Sequence, residues 1–126
     1  MRLMLDTTFV IDHLRGDEAA LARYARLAEE SDQIYVCDVV LCEAWAGTHD
    51  PADPRVERFF RYLEFVQPGP DSARRAGTWR SEALRRGRSL SAADALIAAA
   101  ATSLDAAVLT RNVREFELTP VRVETY

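Results

Sequence analysis

Three acidic side chains stand in otherwise apolar stretches of the 126-residue chain, where carboxylates can form a metal site. Asp6 ends the apolar run 3–5, Glu43 lies in an apolar helix-like segment, and Asp94 lies in the Ala-rich segment 92–101. An isolated acid of this kind is costly to bury unless it has a partner or serves a site. Each one alone can equally be a helix cap or a partner of the helix dipole. Three together favour a site in which hard oxygen ligands, without His or Cys, hold Mg²⁺ or Mn²⁺.

A fourth polar position follows the apolar run that ends at Thr110. The segment 110–116 contains Asn112 and Glu115. Thr110 and Asn112 can hold a water, a metal ion or a phosphate oxygen, and Glu115 would be a fourth acid. In the alternative interpretation Asn112 only caps a short helix and Glu115 is solvated. The residues themselves leave both interpretations open.

The elements that would position these side chains alternate between strands and helices. Short apolar runs are typical of strands buried on both faces of a parallel sheet, and they occur at 3–6, 34–37, 65–66, 106–110 and 121–123. Helices are predicted from Thr7 or Thr8 to Gly16 and over 17–28, 39–47, 54–63, 71–86 and 92–103, with a helical turn at 113–116 and a turn at 31–33. This order predicts an α/β fold, one domain over 1–126 with a central parallel sheet of four to five strands flanked by helices. Because ligands bind beyond the carboxyl ends of parallel strands, Asp6 would face that crevice.

Composition narrows the class of protein. The chain is 48% hydrophobic, a composition typical of globular proteins. Its net charge of −4 argues weakly against binding to nucleic acid, although all 16 basic residues are Arg, which pairs well with phosphate. No run approaches the roughly 18 apolar residues that span a bilayer, and the first residues do not resemble a signal peptide. We therefore expect a cytoplasmic protein without membrane contact. Cys37 and Cys42 match no zinc spacing and are expected to be buried; His13 is expected at the surface.

Four motifs in order resemble a known family. Leu5-Asp6-Thr7-Thr8, Leu41-Cys42-Glu43, the Ser-Ala-Ala-Asp segment 91–99 and the Thr-Arg-Asn segment 110–116 are similar to the PIN domain, and most similar to the VapC-type ribonuclease toxins of bacterial type II toxin–antitoxin systems. Each motif alone is weakly specific, but the four together cover essentially the whole chain.

The resemblance implies a PIN-like three-layer fold and a metal-dependent endoribonuclease. It implies that Asp6, Glu43 and Asp94 surround Mg²⁺ or Mn²⁺, with Asn112 and Glu115 as further candidate catalytic residues. Family members often carry an Asp three residues after the Asn or in place of it, so this chain departs from the pattern and the fourth ligand stays open. The resemblance also implies a homodimer and a small antitoxin protein whose segment covers the acidic site.

Arginines near Asp94 are candidates for holding RNA phosphates. For any single arginine a solvated helix face is the simpler interpretation, but as a group they suit a phosphate backbone. Arg111 stands beside the proposed site, and Thr7 is a further polar candidate there. The candidate group on the fifth helix and the loop after it comprises Arg74, Arg75, Arg80, Arg85, Arg86 and Arg88.

Two other functions remain open from the sequence. A phosphatase that uses a strand-end Asp as nucleophile usually needs a second Asp two residues later, and that position is Thr8. A non-catalytic nucleic-acid or protein-binding PIN domain with a degenerate acidic site is the other alternative. The departure at Asn112 and Glu115 keeps it open.

Overall fold

A computed structural model describes residues 1–30 and 32–126. The turn predicted at 31–33 includes Ser31, which lies outside the described residues. The sheet has five strands in the order β3-β2-β1-β4-β5, and each neighbouring pair is parallel. The strands are β1 Arg2–Leu5, β2 Gln33–Cys37, β3 Glu64–Val66, β4 Ala107–Leu109 and β5 Val123–Glu124.

The helices in the described part of the chain follow the predicted order, so the α/β prediction is confirmed. Their ends differ from the predicted ones by a few residues at most, as expected for helix termini. They are α1 Thr7–Leu14, α2 Glu18–Glu29, α3 Asp38–Ala46, α4 Pro54–Phe60, α5 Pro70–Arg85, α6 Ala92–Ser103 and α7 Val113–Phe116. None of these helices has the length and apolar character required to cross a bilayer.

Two helices that carry site residues begin directly at a strand end. Asp6 is the N-terminal cap residue of α1 and has extended backbone angles (φ −84°, ψ 156°), and Cys37 has the same position before α3. The caps predicted at Thr7 or Thr8 and at Asp38 are therefore wrong by one residue or two. The strand runs into the helix without a loop, so the last extended residue takes the cap position.

The core forms around β1, the central strand. Its residues 3–5 are fully buried, and α6 packs against β1, β4 and α5 through alanines that are also fully buried. An apolar helix without a polar face is expected to be buried in this way. Two smaller expectations are wrong: Cys42 is exposed on α3, and His13 is half-buried among the rings of Phe9, Tyr24 and Phe59.

Candidate active site

The sheet topology brings the candidate residues to one edge. Because β1, β2 and β4 are parallel neighbours, the residues that follow them share the edge formed by the carboxyl ends of the strands. Asp6 follows the central strand, and its backbone N–H donates to the carbonyl of Leu109 at 3.1 Å. Thr110 follows β4 directly, so Asp6 and Thr110 lie side by side.

Asp6 is 1% exposed and is held by two hydroxyl groups. Thr110 donates to its Oδ2 at 2.6 Å and Thr8 donates to the same oxygen at 2.8 Å. The Thr110 hydroxyl also accepts the backbone N–H of Asn112 at 2.8 Å, which fixes the hydroxyl from the other side. Both donors bind the same oxygen of Asp6 and so fix the orientation of its side chain. Neither of them occupies Oδ1.

Glu43 lies on α3 and is linked to α1 through Thr7. The Thr7 hydroxyl donates to Oε1 of Glu43 at 2.6 Å, and Thr7 itself is buried. Thr7 was a candidate contact for RNA or water on the basis of the sequence. In the structure its hydroxyl orients the Glu43 carboxylate, across 36 positions of the chain.

The pKa of Asp94 responds to its burial and to the charges of the other candidate acids. Asp94 lies in the first turn of α6, where its backbone N–H donates to the hydroxyl of the cap residue Ser91. Burial, which is the largest cause, and the negative charges of Asp6, Glu115 and Glu43 together raise the pKa of Asp94 to about 6, while Ser91 counteracts the rise. The charges of the other three acids therefore act on Asp94. Which of these residues bind a cation stays a prediction.

Asn112 and Glu115 have different surroundings. Asn112 is the N-terminal cap residue of α7 and contacts Thr110 through its backbone. Glu115 is half-buried in the first turn of α7, and its charge acts on Asp94. Of the two candidates for the fourth ligand, Glu115 is the one that contributes charge to the site.

The donor set fits a hard divalent cation. All four acids offer carboxylate oxygens, and no ion pair found in residues 1–30 and 32–126 reaches any of them. Within the same residues no three His, Cys, Asp or Glu side chains form a ready-made coordination shell. Uncompensated carboxylates that repel one another are the arrangement that an oxygen-seeking cation such as Mg²⁺ or Mn²⁺ stabilises.

The arginine candidates fall into two groups. Arg85, Arg86 and Arg88 are exposed where α5 ends, next to the loop that leads into α6. Arg80 instead donates from Nε to the carbonyl of Leu90 at 2.9 Å. Arg111 is bound by acids outside the site, Asp17 at 2.9 Å and Asp12 at 3.3 Å. The first group is free to meet a phosphate backbone, while Arg111 is already engaged.

Two grooves lie near these helices. One of about 460 Å³ opens beside Glu43 between α3 and α6. A larger one of about 790 Å³ lies between α1, the end of α3 and the start of α4, and no site acid lines it. Of the two grooves, the smaller is therefore the one that a candidate site acid, Glu43, lines.

The sequence missed the hydroxyl partners of the acids. Thr8 was interpreted only as a helix cap, and Tyr126 was not considered. The sequence did contain a signal for both threonines. Thr8 is a hydroxyl residue two positions after a strand-end acid, and Thr110 is a hydroxyl residue at the end of the neighbouring parallel strand. Tyr126 had no local signal, because its partner Asp12 is 114 positions away.

Comparison with known proteins identifies the family to which this fold belongs. The family model described as PIN domain matches residues 3–120. Ribonuclease VapC19 of Mycobacterium tuberculosis is 34% identical over 117 residues, which cover 93% of this chain and 94% of that protein. The tRNA(fMet)-specific endonuclease VapC of Salmonella typhimurium is 27% identical over 132 residues, covering 100% and 98%. The fold is also similar to that in the crystal structure of DNA-bound VapBC from Salmonella typhimurium, with a TM-score of 0.82, 26% identity and coverage of 99% and 98%. The chain therefore belongs to the PIN domain family and, within it, to the VapC-type ribonucleases.

Proposed function

We propose that this VapC-type endoribonuclease cleaves RNA at the edge of the sheet marked by Asp6, with Asp6, Glu43, Asp94 and Glu115 holding Mg²⁺ or Mn²⁺. The observation that carries the proposal is the environment of Asp94, where burial and the charges of Asp6, Glu115 and Glu43 raise its pKa to about 6. Acids that oppose one another in this way are costly to the fold and are typical of functional sites. When bound, the cation would lower the pKa of a water and stabilise charge on the phosphate.

The chain's own residues would prepare the site for hydrolysis. Thr8 and Thr110 hold Oδ2 of Asp6, and Thr7 fixes the direction of the Glu43 carboxylate. In the reaction a water oxygen bonds to phosphorus, one P–O ester bond breaks, the leaving oxygen takes a proton from solvent water, and the proton of the attacking water passes to a carboxylate. Glu115 is our candidate for that acceptor, because it is half-buried and acts on Asp94 through its charge.

Basic residues at the end of α5 would hold the RNA backbone. Arg85, Arg86 and Arg88 are exposed, and Arg pairs with phosphate through two parallel hydrogen bonds. Their contribution would be electrostatic and independent of base sequence, so it would weaken as salt is raised. The Salmonella typhimurium relative is named for tRNA(fMet), and we therefore propose tRNA as the first class of RNA to test.

An antitoxin protein is the proposed partner. The similar VapBC structure from Salmonella typhimurium supports such a pair. Four carboxylates without an ion pair at one edge would attract a basic segment of a partner, and such a segment would block both the cation and the RNA. We further propose that the chain forms a homodimer, which analytical ultracentrifugation of the isolated chain would test.

The test is cleavage of purified tRNA and total RNA with and without Mn²⁺ or Mg²⁺. Asp6→Asn keeps the size of the side chain and removes its charge, and Asp71→Asn on the exposed start of α5 is the matched control. We expect cation-dependent cleavage that Asp6→Asn reduces by at least about a hundredfold and Asp71→Asn leaves unchanged. Cleavage that survives Asp6→Asn, or that needs no cation, would contradict the mechanism. If no RNA were cleaved, the chain would have to be a binding domain with a degenerate site.

A further inference from the structure

Arg111 has site residues on both sides in the sequence, but its side chain is bound elsewhere. Its Nη2 donates to Oδ1 of Asp17 at 2.9 Å and its Nη1 donates to Oδ2 of the same carboxylate at 3.2 Å. Nη1 also lies 3.3 Å from Oδ2 of Asp12. The guanidinium carbon stands 4.5 Å from the ring centroid of Tyr126. Two carboxylates and one aromatic face therefore hold this guanidinium.

Tyr126 links the same acids to α1. Its hydroxyl donates to Oδ2 of Asp12 at 2.7 Å, and its ring meets the ring of Phe9 edge to face at 5.0 Å. Burial and the bond to Asp12 raise the pKa of the phenol, and the neighbouring hydroxyl of Thr8 offsets part of that rise. The phenol thus stays protonated and stands beside a residue that donates to Asp6. We name the group the Arg111 clamp, and it consists of Arg111, Asp12, Asp17 and Tyr126.

We propose that the Arg111 clamp positions the two hydroxyl groups that bind Asp6. Thr8 and Asp12 are four residues apart on α1, so they lie on one face of the helix, and the clamp fixes that face. Thr110 immediately precedes Arg111, so a fixed guanidinium also fixes the segment from which Thr110 donates. Within residues 1–30 and 32–126 no hydrogen bond or ion pair joins a clamp residue to the four site acids, so the clamp would act on Asp6 through Thr8 and Thr110. The inference rests on the proposed function, since Asp6 must bind the cation for its orientation to matter.

The contacts of Arg111 argue against the phosphate-binding role that its position in the sequence suggested. A guanidinium that makes paired bonds to one carboxylate and approaches a second would have to give up these bonds to reach RNA. The Arg111 side chain is 43% exposed, so hydration would offset part of the free-energy cost of breaking its ion pairs. The guanidinium would also lose its contact with the aromatic ring of Tyr126. Positioning is the role that uses every contact observed.

The decisive variant is Tyr126→Phe, which removes one hydroxyl and keeps the ring against Phe9 and Arg111. The matched control is Tyr62→Phe, because Tyr62 is 87% exposed. Arg111→Gln is the second variant and releases both acids. Three quantities are measured on the full chain: amide hydrogen exchange at Thr110 and Asn112, Mn²⁺ affinity by calorimetry, and kcat and KM for tRNA cleavage.

We expect faster exchange at Thr110 and Asn112, Mn²⁺ affinity weakened about five- to tenfold, and kcat lowered by a similar factor with KM unchanged. The Tyr62→Phe protein should keep all wild-type values. Wild-type exchange and Mn²⁺ affinity in both clamp variants would overturn the inference. A raised KM at constant kcat in Arg111→Gln would also overturn it, because Arg111 would then be an RNA contact. If the wild-type chain cleaved no RNA, the proposed function would fail, while hydrogen exchange would still decide whether the clamp holds Thr110.

Discussion

Burial of the Asp94 carboxylate and its repulsion by the other site acids should make Asp94→Asn more stable than the wild-type chain when no cation is bound. The pKa of Asp94 is near 3.8 in an unfolded chain and rises to about 6 in the folded one. The folded state therefore binds the proton more tightly, so Asp94 adds stability below pH 3.8. That stability is lost as the pH rises through 6, and above this value the ionised carboxylate opposes folding. Asn has nearly the same shape and carries no charge.

The size of the effect follows from the shift in pKa. A shift of about 2 units corresponds to roughly 3 kcal/mol, since one unit is 1.36 kcal/mol. Asp94 is only half-buried, so we reduce this to about 1–2 kcal/mol to account for screening by water. For a chain of 126 residues this is a rise in Tm of about 4–8 °C.

The assay is thermal and urea unfolding in EDTA at pH 7.5 and at pH 4, beside the control Asp71→Asn. We expect Asp94→Asn to be the more stable protein at pH 7.5 and the difference to vanish at pH 4, where Asp94 is largely protonated in the folded chain. Adding Mn²⁺ should stabilise the wild type and leave the variant unchanged, since ligands that bind only the folded state stabilise it.

Two results would refute this reasoning. Lower stability of Asp94→Asn at both pH values would mean that the carboxylate makes a net favourable contact in the fold. A gain that did not depend on pH would mean that repulsion between carboxylates is not its cause. In either case Asp94 would not oppose the other acids, and the central argument for the cation site would fail.

Three further variants probe individual contacts. Thr110→Val removes the 2.6 Å bond to buried Asp6, and we expect Mn²⁺ affinity measured by calorimetry to fall about tenfold, while a Thr119→Val control should not change it. Glu115→Gln should lower kcat for tRNA cleavage by about a hundredfold if Glu115 accepts the proton, and a wild-type kcat in this variant would contradict that role. Burial lowers the pKa of His13, so the folded state resists protonation and stability should fall as the pH drops below 6.5; urea unfolding at pH 7.5 and 5.5 should show a smaller drop for His13→Leu.

Local patterns were sufficient to predict the fold and to nominate the acids of the candidate site. Each strand is a short apolar run, and Gly16 ends the α1 region with a positive φ of 80° that Gly adopts without strain. Asp6 and Asp94 could be located because a strand end and a helix start have fixed places in a parallel α/β fold. Glu43 was predicted as a site residue because it is an isolated acid in an apolar helix.

Contacts between distant residues could not be predicted in the same way. Arg111 was a candidate for RNA because it stands beside the proposed site in the sequence, whereas its partner Asp17 is 94 positions away. The burial of the His13 side chain similarly depends on the rings of Tyr24 and Phe59, which lie on α2 and α4. Periodicity describes one element at a time, and these contacts join several.

The placement of charge around the site has its own logic. The hydroxyl groups that donate to Asp6 and Glu43 are neutral, so they orient these acids without cancelling their charge. The guanidinium of Arg111, which follows Thr110 in the chain, is bound by Asp12 and Asp17, which are not site acids. Had Arg111 paired with Asp6, the site would be stable and would have little attraction for a cation. The fold thus retains uncompensated negative charge at one edge of the sheet, at a cost in stability that Asp94→Asn should make measurable.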